Sequence, residues 1–294
     1  MRRPNECQNP SCSAFKSQIA VIRWGSFLRA DDCRRIRRFR CKMCKRTFSR
    51  ATLSWEYRQK KRRINWTVRW YLSSKMSMRR AALTLGVVPR TIARKLDYHA
   101  RIARDYFARL PDREIPYVNF DELQSSVHTK CKPVSIPFAV DARTRRVLGL
   151  RVVDMPAQHP LIEISLRRYG PRPDDRPQGI RETLLAIRPN VAPTVQIVTD
   201  RADRYLLPIA ELYPSATHVR HKSRRARHGG QGELKVGWHD PLFTLNHTAA
   251  MVRDGIGRMV RKTWGNSKRR DRLEDHLLVW AHFHNEVYLP RQGS

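Results

Sequence analysis

The spacing of apolar residues predicts strands near the N-terminus and helices after them. Apolar and polar residues alternate over residues 18–24 and 36–40, which predicts short β-strands. From about residue 57 to residue 110, apolar residues recur at helical spacing, and Gly86 and Pro89 are almost the only helix breakers. This second stretch is therefore expected to be helical.

The pattern changes again after Pro116, where strands and helices alternate. Strands are predicted at residues 117–121, 134–140, 146–153, 195–200 and 217–219. Helices are predicted around residues 181–187, 205–213, 245–259 and 272–285. Residues 141–144 suit a hairpin turn, and a Pro-rich stretch at 155–178 leaves room for a short helix at best. Such alternation indicates an α/β domain.

Four of the six cysteines form two closely spaced pairs, with four residues between the first two and two residues between the others. Two such knuckles can hold one structural Zn²⁺ at about 2.3 Å, which would stabilise a segment of about 50 residues that has little core. The predicted zinc ligands are Cys7, Cys12, Cys41 and Cys44. We therefore predict a zinc ribbon over residues 1–54. Cys131 is interpreted as an ordinary thiol, and so is Cys33, although Cys33 is also an alternative ligand.

A helix-turn-helix is predicted within a DNA-binding domain at residues 55–112. Residues 77–96 fit a helix, a tight turn at Gly86 and a second helix whose basic outer face suits the major groove of DNA. The residues expected on that face are Arg90, Thr91, Arg94 and Lys95. The alternative is an ordinary helical hairpin with a solvated basic face.

Charge points to nucleic acid as the partner. The chain has 59 Lys and Arg against 26 Asp and Glu, a formal net charge of +33. A compact fold bears that self-repulsion more easily beside a polyanion, and an anionic membrane surface is the weaker alternative. No apolar run approaches the roughly 18 residues of a spanning helix, and the N-terminus lacks the apolar core of a signal peptide. A cytoplasmic, nucleoid-associated protein that does not bind membranes is expected.

Two aspartates are predicted to end strands of the α/β region. Asp121 follows the first of these strands, and Asp200 ends a buried apolar strand. Neighbouring strand ends can bring two carboxylates together, where bound Mg²⁺ or Mn²⁺ can activate a hydroxyl and stabilise a leaving oxygen. Each Asp alone also fits a turn-forming residue after a strand. The pair is the candidate catalytic and metal site.

The ordered set of motifs resembles the zinc-ribbon insertion-sequence transposases of the DDE superfamily. Phe120-Asp121-Glu122 is similar to their first motif, and residues 197–201, which end in Asp200 and Arg201, are similar to their second. The resemblance covers nearly the whole chain. It implies an RNase-H-like mixed-sheet catalytic domain, here residues 113–294, with acids on its first strand, on its fourth strand and on a later helix.

The third motif departs from the commonest pattern of that family. These transposases place Glu, or Asn in some branches, on the late helix, with Lys or Arg seven residues later and an Arg-Lys-Thr-like run beyond. Asn246 and Arg253 meet that spacing, and two helical turns put both on one face. Arg261 and Lys262 match the later run. The resemblance therefore implies Asn246 as a third magnesium ligand and the three basic residues as DNA contacts.

Two acidic residues are alternatives for the third ligand. Asp254 is one, although it is also expected to pair with Arg258 four residues later. Glu233 is the other, in a basic, glycine-rich stretch before the helix. An Asn amide oxygen can bind Mg²⁺ but brings no charge, so metal affinity is expected to be lower than with Glu.

Three functional hypotheses follow. The first is an active transposase that binds the terminal inverted repeats of its element as a homodimer or higher assembly. It would cleave DNA with Mg²⁺ or Mn²⁺ and join the freed 3′ end to target DNA. The second is a domesticated DNA-binding regulator that has lost cleavage, which the uncharged Asn246 favours. The third is an RNase-H-like nuclease or resolvase, which has less need of separate sequence-reading domains.

Overall fold

The protein is described by a computed structural model covering residues 7, 9–15, 21–53, 55–110, 114–222, 240–260 and 265–292. The chain divides into two compact units, Met1–Val68 and Arg69–Ser294. The predicted division into three domains ending at residues 54, 112 and 294 stays a prediction. Across the described helices, none combines the length and apolarity needed to cross a membrane.

The first unit contains a small antiparallel sheet. Strands β1 (Val21–Arg29), β2 (Arg34–Cys41) and β3 (Thr47–Phe48) lie in that order, which confirms strands where the alternation predicts them. Val21, Phe39 and Phe48 form its small apolar cluster, while most other strand residues are exposed or half-buried. A cluster of this size buries little apolar surface, so the sheet has little core of its own.

The second unit contains a six-stranded mixed sheet. Its strands are β4 (Ile115–Ser126), β5 (Pro133–Asp141), β6 (Val147–Leu150), β7 (Val153–Asp154), β8 (Val191–Asp200) and β9 (Thr217–His221). The order is β6-β5-β4-β8-β9, and β7 pairs with β5. Strand β4 is antiparallel to β5 and parallel to β8, and β9 is parallel to β8. This is the α/β class that the alternating pattern predicts.

Strand β4 is longer than predicted. It continues five residues past Asp121 because β5 reaches back to Pro133 and pairs with β4 as far as Ser126. Asp121 therefore lies in the middle of a strand, and the prediction that it ends one is wrong. Asp200 does end β8, as predicted.

Helices begin and end close to their predicted positions. They are α1 (Asn65–Leu72), α2 (Met78–Thr84), α3 (Pro89–Ala108), α4 (Ile162–Tyr169), α5 (Arg176–Ile187), α6 (Leu206–Leu212), α7 (Phe243–Gly255), α8 (Arg270–Phe283) and α9 (Leu289–Gln292), with a π-helical turn at His284–Tyr288. Helix α5 starts five residues early because proline is tolerated in a first turn. Helix α7 ends four residues early, at Gly255, where a Cβ atom would lie only 2.2 Å from Trp280 Nε1.

Helices cover both faces of the mixed sheet. On the α5 face, Phe120 and Ile197 pack with Leu184 of α5 and residues of α6. On the α7 face, Leu123 packs in one cluster with residues of α7, α8 and the C-terminal half of α3. Because side chains alternate along a strand, Asp121 shares the α7 face with Leu123.

Candidate functional site

The four predicted zinc ligands lie together. The Sγ atoms of Cys7, Cys12, Cys41 and Cys44 are within 4.8 Å of one another. The distance from Cys7 Sγ to Cys44 Sγ is 3.5 Å, and Cys12 Sγ lies 3.9 Å from Cys41 Sγ. A tetrahedral site with zinc–sulfur bonds of about 2.3 Å has sulfur atoms about 3.8 Å apart, so the cluster can hold one zinc ion. Cys33 is exposed outside this cluster, so the alternative that it is a ligand is wrong.

Backbone N–H groups support the cysteine cluster. The N–H group two residues after each of Cys7, Cys12 and Cys41 donates to that sulfur at 3.3 to 3.4 Å. The backbone N–H of Arg46 lowers the pKa of Cys44, whereas burial raises the pKa of Cys7. N–H groups aimed at sulfur favour the thiolate form that a metal binds. Four thiolates leave no open position for water, so the cluster suits a structural ion.

Asp121 and Asp200 lie on neighbouring parallel strands. Strands β4 and β8 are parallel and pair Asn119 with Val198, so Asp121 and Asp200 each lie two residues beyond that pair. Burial raises the pKa of Asp121 to about 6, and the nearby negative charge of Asp200 also raises it. The Asp200 Oδ1 atom accepts the backbone N–H of Ala202 at 2.9 Å, which orients that carboxylate at the strand end. Two close carboxylates, one of them held away from water, favour a divalent cation.

Tyr205, which sequence reasoning missed, and Glu122 of the first motif lie beside Asp121. Tyr205 is fully buried, and its hydroxyl lies 3.1 Å from Asp121 Oδ1 and 3.1 Å from Glu122 Oε2. Glu122 also forms an ion pair with Arg204, and it accepts a hydrogen bond from Ser135 Oγ at 2.5 Å. Glu122 is therefore held by three neighbours. No local pattern marks Tyr205, since one aromatic residue at the start of a helix is ordinary.

The Asn246 side chain is hydrogen-bonded to Asp240. It lies on the exposed side of α7, and its Nδ2 atom donates to Asp240 Oδ2 at 3.0 Å. The other Asp240 carboxylate oxygen accepts the backbone N–H of Leu242 at 3.0 Å, which places Asp240 at the start of α7. Within the described residues, no contact joins Asn246 to Asp121 or Asp200. Asp240 is a neighbour that sequence reasoning missed.

The structure tests only some of the other predictions for the third motif. The predicted pair between Asp254 and Arg258 is wrong, because α7 ends before Arg258 and Asp254 instead pairs with Lys75 at 3.1 Å. Arg253 is half-buried on α7, seven residues after Asn246. The remaining predicted residues, Glu233, Arg261 and Lys262, lie outside the described residues.

Helices α2 and α3 form the predicted pair around a tight turn. Ser77 Oγ accepts the Arg80 backbone N–H at 3.3 Å and begins α2, and Gly86 takes a left-handed φ of 58° in the turn. On α3, which begins at Pro89, Arg90 and Arg94 are exposed and Thr91 is half-buried.

The predicted outward position of Lys95 is wrong. Lys95 is only 2% exposed. It lies three residues after Ile92 and one before Leu96, both of which are buried. Helical spacing therefore puts Lys95 on the inner side of α3.

Comparisons with known proteins add little to this geometry. No protein-family model matches the chain, and no curated protein does. Among solved structures, it is similar to a chain of the simian T-cell lymphotropic virus intasome in complex with PP2A regulatory subunit B56 gamma. The match has 11% identity and a TM-score of 0.26, and covers 73% of this chain and 64% of that chain. This chain thus spans less than two thirds of the matched chain, and the likeness is too weak to assign a function.

Proposed function

We propose that the protein is a DDE-type DNA transposase that cuts and joins DNA at Asp121 and Asp200. The observation that carries the proposal is this carboxylate pair on neighbouring parallel strands of a protein with a formal net charge of +33. Carboxylate oxygens are the ligands that Mg²⁺ and Mn²⁺ prefer. The positive charge suits a polyanionic substrate. Together they favour metal-dependent phosphoryl transfer on DNA.

The sheet order supports an RNase-H-like catalytic domain. If the two-residue strand β7 is set aside, β4 is the first strand of this sheet and β8 the fourth. The resemblance to DDE transposases implies acids on those two strands. Helix α7 then corresponds to the later helix, and it packs on the face of the sheet that Asp121 shares.

The roles of the residues follow from their positions. Asp121 and Asp200 would hold Mg²⁺ or Mn²⁺, which polarises the phosphate and lowers the pKa of an attacking water or 3′-hydroxyl. Tyr205 donates a hydrogen bond to Asp121 and fixes the direction of that carboxylate. Glu122 pairs with Arg204 and accepts hydrogen bonds from Ser135 and from the Tyr205 hydroxyl, so it helps to hold Tyr205 in place. Water would attack phosphorus first, and the freed 3′-hydroxyl would then attack target DNA.

Asn246 is the proposed neutral third ligand. Its Nδ2 atom donates to Asp240, which leaves Oδ1, the atom that would bind a cation, outside that hydrogen bond. Arg253, two helical turns later, is the proposed phosphate contact on the same helix. The uncharged Asn246 also favours a second candidate, a domesticated regulator that binds DNA without cutting it.

DNA recognition is assigned to the N-terminal half of the chain and to basic residues of the third motif. Arg90, Thr91 and Arg94 on α3 are the proposed groove contacts, and Arg261 and Lys262 are proposed phosphate contacts. The four-cysteine cluster would hold a structural zinc ion in a zinc ribbon that also binds DNA. We infer terminal inverted repeats and target DNA as substrates, bound by a homodimer or a higher assembly.

Cleavage of labelled element-end DNA with Mg²⁺ or Mn²⁺ tests the proposal. Asp121→Asn and Asp200→Asn should abolish cutting while DNA affinity stays unchanged. Asp203→Asn is a matched control, because that exposed carboxylate pairs with Arg220, and it should cut normally. Tight binding without cutting by the wild type would favour the regulator. Cutting without joining to a second duplex would favour the nuclease or resolvase hypothesis.

A further inference from the structure

A basic cavity of about 480 Å³ lies between α3 and the residues that lead into α8. Six of its lining residues are cationic: Arg90, Arg94, Arg258, Lys268, Arg269 and Arg272. Asp97 is the one carboxylate among the residues that line it. The walls therefore carry a large excess of positive charge.

Ion pairs within the described part of the chain neutralise only two of these cations. Arg272 pairs with Asp97, and its Nη1 atom lies 3.3 Å from Asp275 Oδ2. Arg269 pairs with Asp271 at 2.6 Å. The other four make no ion pair with any described residue, namely Arg90, Arg94, Arg258 and Lys268. Four unpaired cations around one cavity repel each other unless an anion lies between them.

Among these four cations, Arg258 is held by hydrogen bonds to neutral groups. Its guanidinium is half-buried and donates to Ser267 Oγ at 3.2 Å and to the Arg272 carbonyl at 3.4 Å. It also contacts Met78 Sδ of α2 at 3.5 Å. All three partners are neutral, and burial lowers the pKa of Arg258. Since withdrawing a cation from water without a counter-charge is costly, this arrangement suits a site completed by an external anion.

The chemistry of the walls favours a phosphate group. Arg90 and Arg94 lie four residues apart on one exposed side of α3, and Arg258 and exposed Lys268 come from the other wall. Guanidinium groups present paired N–H donors that match phosphate oxygens, and a lysine adds a mobile positive charge. A strand of nucleic acid that follows α3 would place its backbone between these two walls.

We propose that this cavity binds a backbone phosphate of DNA, with Arg258 and Lys268 extending the DNA interface beyond the helix-turn-helix. The proposal rests on the proposed function, because DNA is the polyanion it supplies. Free inorganic phosphate has the same chemistry and is the other source of such an anion. One stretch of DNA backbone would then contact both the proposed recognition helix α3 and the segment before α8.

The salt dependence of DNA binding by the full chain tests this proposal. The probe is a mixed-sequence duplex, followed by fluorescence anisotropy over a series of salt concentrations. Lys268→Ala and Arg258→Gln should each make the negative slope of log K against log salt shallower by about 0.9, the loss of one phosphate contact. Arg168→Ala on α4, an exposed arginine outside the cavity, is the control and should leave the slope unchanged. Lys268 is exposed, so its variant is expected to fold normally.

A second arm distinguishes the two sources of phosphate. Thermal unfolding of wild type and Arg258→Gln is followed with and without inorganic phosphate. If phosphate stabilises only the wild type and the DNA slopes do not change, the cavity binds small anions and the DNA assignment is overturned. If neither arm responds, the whole proposal is overturned. Cleavage by Asp121 and Asp200 is measured separately, so a failure of either proposal can be recognised without the other.

Discussion

The Tyr205 hydroxyl lies 3.1 Å from Asp121 Oδ1, although the two residues are 84 positions apart. Tyr205 follows β8, the strand that ends in Asp200, while Asp121 lies on β4. The same residue that packs edge-on against Phe120, with ring centroids 5.4 Å apart, therefore also orients a candidate metal ligand. Tyr205 therefore belongs both to the buried core and to the candidate metal site.

Tyr205→Phe should shift the pH profile of cleavage. The phenylalanine keeps the ring packing but removes a hydrogen bond that lowers the pKa of Asp121. That pKa, about 6 in the wild type, should rise, so cutting should begin to fail at a higher pH as Asp121 becomes protonated. Rate measurements from pH 5 to pH 8 check the shift. A uniform loss of rate with an unmoved profile would contradict a positioning role for Tyr205.

Replacing two cysteines should remove bound zinc. Cys41→Ser with Cys44→Ser eliminates two of the four clustered sulfurs, and a structural ion held by the remaining pair is expected to be lost during purification. Elemental analysis should give one zinc ion per wild-type chain and almost none in the double variant. Cys33→Ser is the control, because that exposed thiol lies outside the cluster. Equal zinc in the double variant and the wild type would contradict the assignment.

Arg90→Ala, Arg94→Ala and Lys95→Ala should behave differently. Replacing either exposed arginine should make the negative salt slope of DNA binding shallower by about 0.9. Lys95 is buried, so its replacement should lower the midpoint of thermal unfolding and leave the slope unchanged. Anisotropy and circular dichroism on the same preparations separate these effects. If Lys95→Ala alone changes the slope, the basic face of α3 is assigned wrongly.

The third ligand can be identified by comparing three variants in the cleavage assay. Asn246→Ala should reduce cutting because it removes the Oδ1 ligand, and Asp240→Asn should reduce cutting less, because Asp240 accepts from Asn246 Nδ2 and would only orient that amide. Asp254→Ala should have no effect, since Asp254 pairs with Lys75 at 3.1 Å with both side chains exposed. Loss of cutting in Asp240→Asn or Asp254→Ala, with Asn246→Ala unaffected, would make that acid the third ligand instead.

Sequence patterns predicted the parts of the fold that depend on local spacing. The described strands and helices lie close to their predicted positions because the period of apolar residues reports which side of an element is buried. The cysteine cluster followed from paired spacing. Asp121 and Asp200 were recognisable because each directly follows a run of strong strand pattern, although only the structure shows that β4 continues past Asp121.

Other features depend on contacts between distant residues. Tyr205 reaches Asp121 only after β4 and β8 pair, and Lys75 meets Asp254 across 179 positions. Lys95 was expected outside because lysine is rarely buried, yet its place beside Leu96 on α3 decides its environment. No spacing rule predicts the contacts of Tyr205 and Lys75.

Metal rescue of Asp200→Cys tests the central claim most directly. A thiolate binds Mg²⁺ poorly and softer divalent ions well. The variant should therefore be inactive on element-end DNA with Mg²⁺ and regain cutting with Mn²⁺ or Cd²⁺, whereas Asp200→Asn should stay inactive with all three. This result would place Asp200 on the catalytic ion. Full activity of Asp200→Cys with Mg²⁺, or cutting by the wild type in the presence of a chelator, would contradict metal-dependent cleavage at the Asp121–Asp200 pair.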